Sequence, residues 1–213
     1  MTAIAQPRGA ASRRRSHKSR EDLFQAVSEL SADDDPRQLS ARRISARSGY
    51  SVGALYHHFP SVEGLLVAMF ERRRASLLEQ LAGFLREAPA ELPARALIEG
   101  LIDPVFDAWR RPPRKVLAHV LHLHVKHCAG QPDIEGPLAS LAPALLEALR
   151  RNRSTTLRPL TPLEAGLALR SIQVAIRAPF AAGDPTAGSA QHRAVVVDWC
   201  LRLLAAHPAP TAY

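Results

Sequence analysis

The sequence predicts an all-α protein of about nine helices. Apolar residues recur every three or four positions along most of the chain, which is the period of a helix with one buried face. The interruptions of that period carry proline or glycine, the residues that most readily end helices. With 213 residues, 46% of them hydrophobic, the chain is long enough to bury a core as one large domain or two small ones.

The first predicted helix opens at Ser19, where Glu21 and Asp22 give its first turn a favourable negative charge. It ends at the run DDDP of residues 33–36. Its apolar face consists of Leu23, Phe24, Val27 and Leu30. Eight further segments keep the helical period between breaks: 40–48, 52–59, 61–86, 94–110, 114–128, 137–152, 163–178 and 189–206.

Charge favours an anionic partner. The chain has 28 basic and 20 acidic residues, a net charge of +8, and residues 1–20 contain six basic residues and no acidic one. This stretch predicts a flexible cationic arm that could neutralise phosphates. The alternatives are a merely basic protein and a solvated terminus without a role.

Cysteine usage and hydropathy indicate the compartment. Cys128 and Cys200 are the only cysteines, too few for a disulfide framework. No run of about 18 apolar residues suits a membrane span, and the first twenty residues lack the apolar stretch of a signal peptide. We therefore expect a cytoplasmic protein.

Residues 40–66 predict a helix-turn-helix. Ile44 marks the core face of a first short helix, and Gly49 stands where the chain must turn sharply and a positive φ favours glycine. Tyr50 follows as an apolar plug, and Ser51 can cap the second helix. The second helix has a predicted core face of Val52, Leu55 and Phe59.

The sequence LYHHFPS at 55–61, followed by EGLL at 63–66, resembles the TetR (tetracycline repressor-like) family of bacterial transcriptional regulators. The resemblance covers about residues 17–77. It implies an N-terminal three-helix helix-turn-helix DNA-binding domain (17–77) after the arm (1–16), then a helical effector-binding and dimerisation domain (78–213). It also implies a repressor released from a palindromic operator by a small molecule, with no catalytic site and no cofactor.

Position by position, the resemblance implies a DNA-binding surface in which arginines and the Tyr56 hydroxyl meet phosphates while the entry of the second motif helix meets base edges. Small side chains there favour methyl contacts with thymine. Where the family commonly has lysine, this chain has Val62. Either of the two histidines in this segment, His57 or His58, could instead be a solvated residue without a role. The expected DNA-binding residues are Ser40, Arg42, Arg43, Ser51, Val52, Gly53, Ala54, Tyr56, His57, His58 and Ser61.

The resemblance also implies that the last two helices form a four-helix bundle with a second subunit, although similar apolar stripes occur in ordinary core helices. A two-fold dimer would place its recognition helices in successive major grooves about 34–36 Å apart. The expected interface residues are Leu163, Leu167, Ile172, Ile176, Val195, Val196, Trp199 and Leu203.

A pocket for an apolar, neutral effector is expected in the C-terminal half. Its expected lining is Phe106, Trp109, Leu121, His124, Cys128, Leu145, Leu149, Gln173 and Phe180. His124 and Cys128 are four residues apart on an apolar helix face, where they could be core or pocket residues. A metal sensor is disfavoured because one helix offers too few convergent ligands, and an enzyme because no orienting acid is apparent. A regulator that has no effector and acts through a protein partner stays an alternative.

Overall fold

The computed structural model describes residues 8–33, 38–112, 114–127, 138–153 and 157–205. These residues form nine α-helices and one 3-10 turn (Leu138–Leu141), and the described residues contain no strand beyond an isolated bridge between Leu157 and Ala205. The predicted all-α class and helix count are therefore confirmed. The helices are α1 (Arg8–Asp33), α2 (Ala41–Ser48), α3 (Val52–His58), α4 (Val62–Glu87), α5 (Ala94–Arg110), α6 (Arg114–His127), α7 (Ala142–Arg151), α8 (Pro162–Ala181) and α9 (Ala190–Leu204).

Two helices extend further than the sequence predicted. α1 begins at Arg8 rather than at Ser19, so the second half of the expected flexible arm is helical. Alanine and arginine in that stretch are good helix formers, which a reading based on charge alone overlooks. α8 continues past Pro179 to Ala181.

The chain divides into two compact units, Met1–Glu71 and Arg72–Tyr213, with the division inside α4. In the first unit α1 packs against α2, and α2 against α3. The expected domain boundary between residues 77 and 78 stays a prediction. The core of the first unit includes Leu23, Phe24, Ala26, Val27, Leu39, Ile44, Leu55, Phe59, Leu65, Leu66 and Met69.

The second unit is built around α5 and α8. α5 packs against α8 and α9, and α8 also contacts α6, α7 and the 3-10 turn. Thr161 and Glu164 form a reciprocal capping box that starts α8. The largest buried side chains of the cluster include Leu97, Ile98, Ile102, Phe106, Leu145 and Ile176.

The residues expected at the subunit interface differ in their burial within the protomer. Ile172, Ile176 and Val196 belong to the core of the protomer itself, and Ile176 is completely inaccessible to solvent. They lie on the inner faces of α8 and α9, so they are core residues. Their outward-facing neighbours on the same helices are Leu163, Leu167, Val195, Trp199 and Leu203.

None of the described helices combines the length and the apolar character needed to cross a membrane.

Candidate nucleic-acid interface

The turn between α2 and α3 is set by three capping residues. The Ser40 hydroxyl accepts from the Arg43 backbone N–H at 3.3 Å and starts α2. Gly49 ends α2 with φ of 76° and donates its N–H to the Ser45 carbonyl, as expected for a left-handed position. The Ser51 hydroxyl then accepts from the Ala54 N–H at 3.1 Å and starts α3. The predicted helix-turn-helix is thus present.

The outer face of α3 is open to solvent. Among the residues of α3, all of which are described, Leu55 is the one that is buried. Phe59, which follows the helix, is also buried. Val52, expected in the core and also at the bases, is 39% exposed, and Tyr56 is 50% exposed. Val52 therefore lies on the outer face of α3, whereas Leu55 and Phe59 pack into the core of the first unit. The exposed residues of α3 and its cap are Ser51, Val52, Gly53, Tyr56 and His57, while Ala54 is half-buried.

Arginines beside this face differ in their environment. Arg42 and Ser40 are exposed and Arg43 is half-buried at the start of α2. Arg47, an exposed residue near the end of α2, forms an ion pair with Glu29 of α1. Hydrogen bonds from Gln25 and Arg47 hold the pKa of Glu29 below its usual value.

Two residues ascribed to DNA contact also have partners inside the protein. The ring of His58 is half-buried, and its Nε2 lies 2.7 Å from the hydroxyl of Ser19 in α1. The Ser61 hydroxyl accepts from the Gly64 N–H at 2.9 Å and caps α4. Tyr50 is more than an apolar plug, because its hydroxyl donates to Asp22 at 2.8 Å.

No sequence pattern marks Ser19 as a functional residue, because its partner lies 39 positions away and no local period records the bond. The hydrogen bond of His192 with Ala175 was not predicted from the sequence either, because it joins residues of two different helices. The His192 Nδ1 accepts from the Gly188 N–H at 3.1 Å, so its Nε2 is the nitrogen that donates to the Ala175 carbonyl at 3.1 Å.

The residues expected to line an effector pocket are only partly described. The side chains of Leu121 and His124, and Cys128 altogether, lie outside the described residues. Phe106, Leu145 and Leu149 are buried, whereas Trp109, Gln173 and Phe180 are half-buried. The Trp109 and Phe180 rings stack at 6.0 Å with an angle of 24°. The Gln173 Oε1 atom is buried and accepts no hydrogen bond from the part of the chain that the structure describes.

Metal ligands do not converge among the residues that the structure describes: no group of three or more histidine, cysteine or acidic side chains could hold an ion. On α6, His119 is half-buried and His122 is exposed. Cys200 is buried in the second unit, and burial raises the pKa of its thiol to about 12. At neutral pH this thiol stays protonated, which makes it a core residue rather than a nucleophile.

The helix-turn-helix is similar to that of known proteins. Residues 23–69 match the family described as bacterial regulatory proteins, tetR family. The chain is 27% identical over 74 residues to the nucleoid occlusion factor SlmA of Glaesserella parasuis, which covers 35% of this chain and 37% of that protein. The match thus spans little more than a third of that relative.

Solved structures share the fold. A transcriptional regulator from Rhodococcus sp. Rha1 superposes with a TM-score of 0.59 at 19% identity, covering 89% of this chain and 100% of that one. The TetR-family repressor AlkX from a Dietzia species gives 0.57 at 20% identity, covering 86% of this chain and 94% of that one. Residues 23–69, which include the helix-turn-helix, thus match the tetR family, and the chain shares the fold of these solved regulators.

Proposed function

We propose that the chain is a cytoplasmic homodimeric repressor that binds a near-palindromic operator and is released from it by a small apolar effector. The observation that carries the proposal is the solvent-open face of α3, whose cap and first turn are small and whose Tyr56 is half exposed. Such a face fits into a major groove without displacing a bulky side chain.

On this surface the proposed contacts fall into two classes. Val52 and Ala54 offer methyl groups to thymine, and Gly53 allows the backbone to approach the bases. Arg42, Arg43 and the Tyr56 hydroxyl bind phosphates, and they set the register rather than the sequence. Ser40, Ser51 and Ser61 support this surface from the starts of α2, α3 and α4.

The proposed dimer uses the outer faces of α8 and α9. Leu163 is 72% exposed and Val195 is 62% exposed, which is unusual for large apolar side chains. Leu167 extends the first stripe, and Trp199 and Leu203 extend the second at a spacing of four residues. A second copy of the chain would cover both stripes at once in a four-helix arrangement.

The effector is proposed to bind in the second unit. Gln173 supports the pocket, because its buried Oε1 has no donor among the described residues and such an atom costs about 1–3 kcal/mol. A ligand with one N–H or O–H group on a largely apolar body would satisfy it. The stacked Trp109 and Phe180 rings supply apolar surface of the kind such ligands bind.

The test begins with selection of duplexes from a random pool by the wild-type protein, followed by footprinting on the enriched sequence. We expect a protected near-palindrome and binding that weakens steeply with salt. A protein that enriches no sequence contradicts the proposal. Expression of a reporter behind that operator then separates repression from activation.

The effector is tested separately by thermal shift against a panel of apolar metabolites, since a ligand bound to the native state raises its stability. Release of the selected duplex by a stabilising compound supports the effector mechanism. If the protein binds DNA but no compound shifts its melting, the alternative of a regulator acting through a protein partner is favoured. A shift produced by zinc alone would favour a metal sensor.

The SlmA relative suggests a second candidate function, nucleoid occlusion, because that protein is a nucleoid occlusion factor and shares 27% identity with this chain over 74 residues. Mapping of bound sites along the chromosome distinguishes the two. A few sites beside controlled promoters support the repressor, and many dispersed sites without transcriptional effect support the other role.

A further inference from the structure

One hydrogen bond joins the last residue of the recognition helix to α1. His58 ends α3, and its Nε2 lies 2.7 Å from the Ser19 hydroxyl, across 39 positions of sequence. Ser19 is buried, with 6% of its surface exposed. A polar contact at a buried hydroxyl is directional, so it constrains the ring of His58 more than apolar packing alone would.

The direction of this bond follows from the second partner of Ser19. The Ser19 hydroxyl donates its one hydrogen to the Ser16 carbonyl of the preceding turn, at 3.0 Å. It therefore has only lone pairs to offer His58, and the Nε2–H of His58 is the donor. The Nε2 atom of His58 is therefore hydrogen-bonded to a buried residue of the protein.

The surroundings of the ring also favour a role inside the protein. It packs beside Phe59, with ring centroids 6.3 Å apart, and meets His57 edge to face at 5.3 Å. Burial, with the positive charges of His57 and Arg20, lowers the pKa of His58. A neutral imidazole gives no Coulombic attraction to a phosphate.

The recognition helix has few other attachments. It is seven residues long, and within it Leu55 is the fully buried side chain. The Phe59 ring, next along the chain, lies 5.6 Å from Phe24 of α1 and beneath the Arg20 guanidinium. These contacts hold the end of α3 by packing, and the bond to Ser19 adds a directional contact to them.

We propose that His58 is a positioning residue, which fixes the orientation of the recognition helix by donating to Ser19 rather than by touching DNA. The inference rests on the proposed operator binding of this same surface. It changes the role of one residue that the family pattern places at the DNA, and it adds Ser19, which that pattern does not include.

The test measures affinity for the duplex selected by the wild-type protein. Ser19→Ala and His58→Ala should each weaken binding about threefold to tenfold, as expected for removal of one hydrogen bond, and the double variant should be no weaker than either. His58→Gln should restore affinity to within about twofold, because its amide N–H can reach Ser19. The slope of log affinity against log salt should be unchanged, since no charge that meets a phosphate is removed.

Ser28→Ala is the matched control, because it removes a part-buried hydroxyl of α1 that contacts Phe24 and Met69, and it should leave affinity unchanged. Thermal melting of each variant verifies the fold. If Ser19→Ala binds like the wild type while His58→Ala does not, His58 contacts DNA directly and the inference is wrong. Additive losses in the double variant also overturn it. A wild-type protein that selects no duplex refutes the proposed function itself, which is a separate outcome.

Discussion

Arg193 of α9 binds the carboxylate of Asp103 in α5 through two parallel N–H groups, with Nε–Oδ1 at 2.5 Å and Nη2–Oδ2 at 2.8 Å. Glu99, one turn earlier on α5, adds a second carboxylate at 3.5 Å. The hydrogen bonds to Asp103 raise the pKa of Arg193. The pair therefore joins the helix that carries one outer apolar stripe to the core helix of the second unit.

Replacing Arg193 with lysine should lower the free energy of unfolding by about 1 kcal/mol, because an ammonium group cannot make the paired contact and partial exposure screens the rest. Urea unfolding measures the change. Arg202→Lys, at an exposed position of the same helix, is the control and should be neutral. Equal effects of the two substitutions would mean that the paired contact of Arg193 with Asp103 contributes nothing to stability.

Acid should weaken the start of α8. The Thr161 N–H and hydroxyl, and then Arg158, donate to Glu164 and lower its pKa from 4.5 to about 2. A lowered folded-state pKa means that this stabilisation is present above the unfolded pKa near 4.5 and is lost as pH falls towards 2. Unfolding of wild type and Glu164→Gln should thus differ at pH 7 and converge near pH 2. Glu79 is exposed on α4, and Glu79→Gln should lack the difference from wild type that Glu164→Gln shows at pH 7 and loses near pH 2.

The two tyrosines of the helix-turn-helix should respond differently to removal of the hydroxyl. Tyr56→Phe should leave stability unchanged, because the side chain is half exposed, and it should weaken binding similarly on all duplexes if the hydroxyl meets a phosphate as proposed. Tyr50→Phe should lower the free energy of unfolding, since it removes the bond to Asp22. Gel-shift titrations and urea melts measure both. Unchanged affinity of Tyr56→Phe would remove it from the DNA surface.

The arginine run before the motif should set much of the salt dependence. Replacing Arg13, Arg14 and Arg15 with glutamine keeps helix formers in α1 and removes three positive charges. If each meets a phosphate, the salt slope should fall by about three units. Arg86→Gln, in the second unit, should leave the slope intact. An identical slope in the triple variant would show that this run is idle.

Sequence patterns predicted the helices and the turn because proline, glycine and caps act locally. Gly49 had to turn the chain, and Ser51 had to cap α3, whatever packed around them. The two faces of α8 could not be told apart, since Leu167 and Ile176 are both apolar and only tertiary packing decides which is buried. The Ser19 to His58 bond was likewise out of reach, because it depends on the docking of α1 and not on any local period.

The outer stripe of α8 provides the decisive test of the dimer. Leu167 is half exposed in the protomer, so Leu167→Glu should leave the fold intact. In a two-fold interface the substitution appears twice and buries two like charges, which should weaken dimerisation at least about a hundredfold. Sedimentation should then show monomers, with operator affinity abolished because half-sites no longer bind together. Ala108→Glu on α5 is the exposed control, and a Leu167→Glu dimer of normal stability would place the interface elsewhere.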